Sequence, residues 1–150
     1  YISGTMSNCN NYADMFVDNT TSTFQVGGII GYINFDNISI TECANYGTIT
    51  VNSSYTGAFN TSVGGLVGEF YDGALNKYSL TINNSTNNGN IIVNSPNMVS
   101  YTFGGGLIGH MKDTYTLNSA GNSNTGNVTI NGSDKGTNWW IGNNRDYDPE

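Results

Sequence analysis

Charge is what this sequence most lacks. Charged residues make up 10% of its 150 positions, against about 25% in an average globular protein. Only four of them are Lys or Arg, and the formal net charge is −7. Binding nucleic acid or an anionic bilayer surface takes cationic side chains to neutralise phosphate, so neither is expected as a partner. Long apolar runs are missing too. None approaches the ~20 residues of a membrane-spanning helix, so membrane insertion is not expected. Helical periodicity is also absent, with no ten-residue stretch repeating apolar positions every 3.6 residues.

The residues of common catalytic and metal sites are equally scarce. There is one histidine, His110, and there are two cysteines. A zinc site needs more ligands than these. A Ser-His-Asp arrangement would have to use His110, yet no nucleophile elbow accompanies it. His110 follows Gly109 at the end of a glycine-rich string and reads as a solvent-facing strand residue. The Gly-Gly-x-x-Gly strings lack the Lys and the helix of a phosphate loop. Some β-helices cleave acidic polysaccharides with clustered Asp beside Lys or Arg. Here Asp14, Asp18, Asp36 and Asp72 occupy non-equivalent repeat positions. The chain is therefore expected not to be an enzyme, with no catalytic residues, no metal site and no cofactor. It begins at Tyr1 without a visible signal peptide, which reads as a mature or excised piece of something longer.

What the chain does contain is small and neutral: 20 Gly, 25 Asn, and 31 Ser or Thr. These are poor helix formers. Short runs of Val, Ile, Thr and Tyr alternate with Asn/Gly clusters, the mark of strands and turns. Ten Tyr and an apolar fraction of 37% supply a core and argue against disorder.

These runs repeat. Val26-Gly27-Gly28-Ile29-Ile30-Gly31 recurs as Val63-Gly64-Gly65-Leu66-Val67-Gly68 and as Gly104-Gly105-Gly106-Leu107-Ile108-Gly109. A degenerate fourth copy is Asn138-Trp139-Trp140-Ile141-Gly142. A second block reads Cys43-Ala44-Asn45-Tyr46-Gly47-Thr48-Ile49-Thr50-Val51, and it matches segments beginning at Cys9, Ser85 and Asn122. In this alignment Met15, Ile49, Ile91 and Val128 share a column, as do Val17, Val51, Val93 and Ile130. The two columns are two residues apart, so on a strand both face one core. Asn11, Asn45, Asn87 and Asn124 form a third column. Ala13, Gly47, Gly89 and Gly126 follow, suited to a tight bend at a strand start.

Repeats of this length without helices leave a four-bladed propeller or a solenoid. Each repeat offers two or three strands, which is short of a propeller blade and fits a triangular coil. The expected fold is all-β: a right-handed parallel β-helix of about four imperfect coils of 34–42 residues. The solenoid would span 1–135, with approximate coils 1–31, 32–68, 69–109 and 110–142, and a C-terminal cap or assembly tail over 136–150. Stacking would turn the third column into an Asn ladder, with like side chains ~4.8 Å apart.

Gly64-Gly65-Leu66-Val67-Gly68, then Ile82-Asn83-Asn84-Ser85 and Gly89-Asn90-Ile91, resembles the GLUG-type repeat over residues 9 to 131. The spacers here are longer and richer in Asn. That resemblance implies a β-solenoid stalk of the kind found in secreted, adhesin-like surface proteins and in the non-catalytic parts of immunoglobulin A proteases. It brings no catalytic residues.

Cys9 and Cys43 share a column, so stacked coils would place them within disulfide reach, the alternative being two buried free thiols. Eight N-x-S/T sequons occur. Of these Asn19, Asn52, Asn60 and Asn131 follow strands and are the glycosylation candidates, while Asn37, Asn83 and Asn84 lie within strands. At the ends, Tyr1, Ile2, Trp139, Trp140 and Tyr147 would cap the solenoid or form an assembly surface. Asp146, Asp148 and Glu150 are either a solvated tail or oxygen ligands for calcium. The expected function is that of an extracellular structural and adhesive protein, secreted or held at a cell surface. Its partners would be itself as a head-to-tail homopolymer, or repeats of a longer parent chain. The second reading is a carbohydrate-binding module, with Tyr32, Tyr71, Tyr101 and Tyr115 stacking on sugars.

Overall fold

The computed structural model describes residues 3–19, 24–34, 37–54, 61–71, 78–96, 102–111 and 116–142. Within them the chain winds as a parallel β-solenoid with no α-helix. Coil 1 carries β1 (Ser3–Ser7), β2 (Asn10–Asn11), β3 (Met15–Asn19), β4 (Gln25–Gly27) and β5 (Ile30–Asn34). Coil 2 repeats the series as β6 (Asn37–Thr41), β7 (Ala44–Asn45), β8 (Ile49–Ser53), β9 (Thr61–Gly64) and β10 (Val67–Tyr71). Coil 3 follows as β11 (Ser79–Asn83), β12 (Thr86–Asn87), β13 (Ile91–Asn94), β14 (Thr102–Gly105) and β15 (Ile108–Met111). A partial fourth coil has β16 (Thr116–Ala120), β17 (Ser123–Asn124), β18 (Val128–Ile130) and β19 (Ser133–Gly136).

Each of the first three coils thus has five short strands rather than the two or three expected. The difference comes from the bends. The glycine string is a corner between two strands, and the ladder Asn sits on a two-residue strand of its own. Because a further strand follows each string, the coils end at Asn34, Tyr71 and Met111. These breaks fall a few residues after those the strings suggest.

The register is that of the repeat. Met15 pairs with Ile49 and Val17 with Val51. Ile91 and Val93 pair with Ile49 and Val51 on one side and with Val128 and Ile130 on the other. Alternate residues of these strands face inward, which is why a 2-residue apolar period builds one wall of the core.

The interior has two lobes. One holds Ile49, Val51, Val63, Ile91, Val93 and Val128. The other is built around Ile40, Leu66, Phe70, Leu80, Ile82 and Ile108. Most of these side chains are fully buried, each contributing about 1.5–3 kcal/mol of transfer free energy.

Glycine is dictated by contact between coils. A β-carbon at Gly47 would overlap the carbonyl oxygen of Ala13 beneath it, and Gly89 and Gly126 meet Gly47 and Gly89 in the same way. None of these three has a positive φ. The column is thus glycine through crowding, not through the bend that the sequence suggests. Ala13 occupies the column in coil 1. Gly89→Ala is expected to abolish the cooperative urea transition, whereas Ala13→Gly should stay within about 1 kcal/mol of the parent. Circular dichroism during urea unfolding reads both.

Candidate functional site

The Asn column lies between the two core lobes and is a continuous amide ladder. Asn11 Nδ2 donates to Asn45 Oδ1 at 2.7 Å, Asn45 to Asn87 at 2.7 Å, and Asn87 to Asn124 at 2.8 Å. The second Nδ2 hydrogen of each turns back to the carbonyl two residues on, at Ala13, Gly47, Gly89 and Gly126. Asn45 and Asn87 are fully buried. The glycine strings make room for them, because a β-carbon at Gly65 or Gly106 would overlap the carboxamide of Asn87 or Asn124.

The two ends of the ladder finish differently. At the C-terminal end Asn124 Nδ2 donates to Thr137 O at 2.7 Å, so the chain closes its own ladder. Three further elements cover part of that end, while β14, β16 and β17 end their sheets with no described strand beyond them. β19 pairs antiparallel with β18, placing exposed Ser133, Asp134 and Lys135 on the edge. The degenerate glycine string then lies over coil 3, where Gly106 N and Leu107 N donate to Trp139 O and Trp140 O. Ile141 bridges Ile108 in parallel. Trp140 packs on the core and Trp139 is more exposed, with Lys135 Nζ 5.6 Å from its ring centroid.

At the N-terminal end all five sheets stop at coil 1, and no described strand pairs with the outer edges of β1 to β5. Inward-facing Met6, Cys9, Met15, Val17, Val26 and Ile29 are only half-buried, while the equivalent Ile40, Cys43, Ile49, Val51, Val63 and Leu66 are buried. A recess of about 290 Å³ opens there, lined by Met6, Cys9, Asn10, Asn11, Gly28 and Ile29. Asn11 Oδ1 takes its hydrogen bond from Ala13 N within the same coil. Tyr1, Ile2 and Tyr147 lie outside the described residues, as do Asp146, Asp148 and Glu150.

Exposed aromatics also gather at this end. Tyr12 and Tyr46 stack with ring centroids 4.8 Å apart and planes 2° apart. Tyr12 is 72% exposed and Phe16 67%. The sequence reading missed this group, although Tyr12 and Tyr46 share a repeat column. Of the tyrosines it preferred, Tyr32 is exposed, Tyr71 is half-buried, and Tyr101 and Tyr115 lie outside the described residues. Burial, with the charge of Glu69 beside it, raises the Tyr32 phenol above its usual pKa.

His110 is not solvent-facing. It is buried, and its Nδ1 lies 3.0 Å from Glu69 Oε1. Glu69 occupies the same column one coil earlier, with Tyr32 the coil before that. Phe103 stacks on the imidazole at 4.6 Å, and Ser62 Oγ lies 3.4 Å from the other carboxylate oxygen. The partner and the ring explain why a histidine is tolerated in a dry position.

Cys9 and Cys43 stack as expected but are not joined: both are free thiols. In parallel register their side chains point the same way. Cys9 Sγ turns to Ser7 O, while Cys43 Sγ turns to Thr41 O and Met6 O and accepts from Cys9 N at 3.4 Å. Burial raises the Cys43 thiol above its usual pKa. Among the glycosylation candidates, Asn52 lies within β8, half-buried, and accepts from Asn94 Nδ2 at 2.9 Å. Asn131 is exposed in the turn before β19, with its carboxamide engaged by Ser95. Asn19 ends β3 rather than following it, and Asn60 lies outside the described residues.

No family model matches the chain, and searches of curated proteins and of solved structures return no match either.

Three measurements check this geometry. Asn87→Ala strands the amide groups of Asn45 and Asn124 and should cost about 2–4 kcal/mol in urea unfolding, against under about 1 kcal/mol for the half-buried Asn11→Ala. Alkylation followed by mass measurement without reductant should find two reactive thiols in unfolded protein. In the folded protein Cys43 should react more slowly than Cys9, because a raised pKa and burial both lower accessible thiolate. A double-mutant cycle on Glu69→Gln and His110→Ala should return a coupling of about 1–3 kcal/mol, and additive effects would exclude the pair.

Proposed function

We propose that this chain is an extracellular structural and adhesive rod, which works through its shape and its surface rather than through a reaction. The observation that carries this reading is the in-register stack of coils pinned by the amide ladder. Such a stack transmits load along one axis through many parallel hydrogen bonds. The resemblance of its glycine strings to GLUG-type repeats, which occur in secreted adhesin-like proteins, supports the same assignment. So does a surface of neutral Asn, Ser and Thr with few charges. In this reading the rod belongs to a secreted or cell-surface protein, and it joins other rods, or repeats of a longer parent chain, end to end.

A second reading rests on a separate observation. Tyr12 and Tyr46 present stacked apolar rings with polar hydroxyl edges, and Phe16 a further exposed ring in coil 1, a surface suited to stacking against sugar rings.

Force spectroscopy with the chain tethered near residues 3 and 142 tests the first reading. A load-bearing rod should yield in steps that each release one coil of 34–42 residues, or about 3.3–3.6 Å of extended chain per residue. Smooth extension at the low force of an unstructured polymer would remove the structural reading. For the second, oligosaccharide titration should shift the Tyr12 and Tyr46 ring resonances, and Tyr12→Ala should weaken binding about tenfold. Unmoved resonances across a broad glycan panel would exclude it.

A further inference from the structure

We propose that Cys9 and Cys43 form a two-sulfur binding site for the soft monovalent ion copper(I). The site goes beyond the rod reading and does not depend on it.

Register brings the two thiols together. Ser7 pairs with Thr41 and Asn10 with Ala44, so Cys9 and Cys43 stack between those pairs. Ala44 N donates to Cys9 O across the same step. Each Sγ reaches the carbonyl two residues before it, Ser7 O and Thr41 O, so both side chains lean the same way. Cys9 N donates to Cys43 Sγ at 3.4 Å, and Cys43 is buried.

The column continues without sulfur. Cys43 N donates to Ser85 Oγ at 3.1 Å, and Ser85 N donates to Asn122 Oδ1 at 2.9 Å. Ser85 Oγ donates to Asn83 O, two residues back, as the thiols do to their own carbonyls. The fold therefore asks this column for a small side chain that accepts one N–H and donates to one carbonyl. A serine hydroxyl meets that demand, and with a shorter bond. Both cysteines of the chain stand at successive positions of this column, which its hydrogen bonds do not require.

Spacing selects what the sulfurs can hold. Side chains that lean together in adjacent coils sit ~4.8 Å apart. A disulfide would have to draw the sulfurs to about 2.05 Å and the β-carbons to about 3.8 Å. A thiolate–metal bond, taking the value for zinc, is about 2.3 Å long, so two in line span about 4.6 Å. An ion held linearly between the sulfurs thus needs little movement of either coil. Thiolates are soft ligands and select copper(I). An ion that takes four protein ligands is not served, since among the described residues no three His, Cys, Asp or Glu converge. Counting ligands against the needs of zinc, as the sequence reading did, passes over a site of two.

As the ion enters, each thiol releases its proton to solvent and two sulfur–metal bonds form. The metal keeps its oxidation state, so no electron donor or acceptor takes part. The Cys9 N–H then faces an anionic sulfur, which strengthens that hydrogen bond.

Titration of the reduced chain, in the absence of oxygen, with copper(I) held by the chromophoric chelator bicinchoninate tests the site. Each 16.1 kDa chain should withdraw one ion. Cys9→Ser and Cys43→Ser should each leave the circular dichroism spectrum unchanged, because Ser85 already serves in this column. Each should weaken binding by more than the ~10–100-fold that loss of an outer-shell partner costs. X-ray absorption at the copper edge uses the unaltered chain and so survives a poorly folding variant. It should find two sulfur neighbours and no nitrogen. Failure to draw the ion from the chelator, or binding unchanged in either serine variant, would overturn the proposal. One ion shared between two chains, or nitrogen among its neighbours, would overturn it equally.

Discussion

A buried carboxamide has two donors and an acceptor to satisfy, and that obligation organises this molecule. Asn45 and Asn87 have no access to water, and an unpartnered amide there would cost several kcal/mol. Their only sufficient partners are the same residues one coil away, plus a carbonyl two residues on. The ladder therefore fixes axial register. Slipping one coil by a single residue would leave an amide against an aliphatic wall and turn the apolar columns outward at the same time. Hydrophobic burial supplies the larger share of stability, but it tolerates neighbouring registers better than a hydrogen-bonded amide does. The glycine strings follow from the same requirement, since the opposite corner of the coil must come close enough to seal the ladder, and at Gly65 and Gly106 no β-carbon fits.

The ladder also gives the solenoid a direction. Each Asn donates toward the C-terminal coil and accepts from the N-terminal one, so the two ends pose different chemical problems. The last Asn has a donor to place, and Thr137 O receives it. The first has an acceptor to fill, and the adjacent Ala13 N–H fills it. The C-terminal solution recruits a whole segment of chain and brings the two Trp with it. The N-terminal solution uses one local turn, and no described strand lies beyond it. This asymmetry is why apolar section shows at one end and charged strand edge at the other.

Much of this was legible in the sequence, and the reason is geometric. A parallel stack brings equivalent residues together, so aligning the repeats amounts to reading the strand pairs. The Ile49/Val51 and Ile91/Val93 columns and the Asn column could be assigned from spacing alone, as could the placement of Trp139–Ile141 over coil 3. The number of strands per coil could not, because two-residue strands such as Ala44–Asn45 leave no periodicity to detect. The Glu69–His110 pair was available in principle. Tyr32, Glu69 and His110 each follow the final glycine of a string, but unlike residues in one column do not announce themselves as partners. The thiols show the limit of the approach: a shared column places Cys9 over Cys43 yet says nothing of where each Sγ points.

The poverty in charge has the same origin. In a stack of near-identical coils, any side chain recurs about 4.8 Å away in the next coil. A unit charge repeated at that spacing is repelled by about 1 kcal/mol per neighbour even in water, and by more where solvent is thin. Asn, Ser and Thr carry both donor and acceptor, so their repetition is attractive, as at Thr86 with Ser123 and Asn94 with Asn52. Charge survives where the column changes identity, as where Glu69 lies between Tyr32 and His110, or on the antiparallel strand β19, where Asp134 and Lys135 are exposed. The poverty in charge, which makes nucleic acid and anionic membranes unexpected partners, is thus first a condition of the fold.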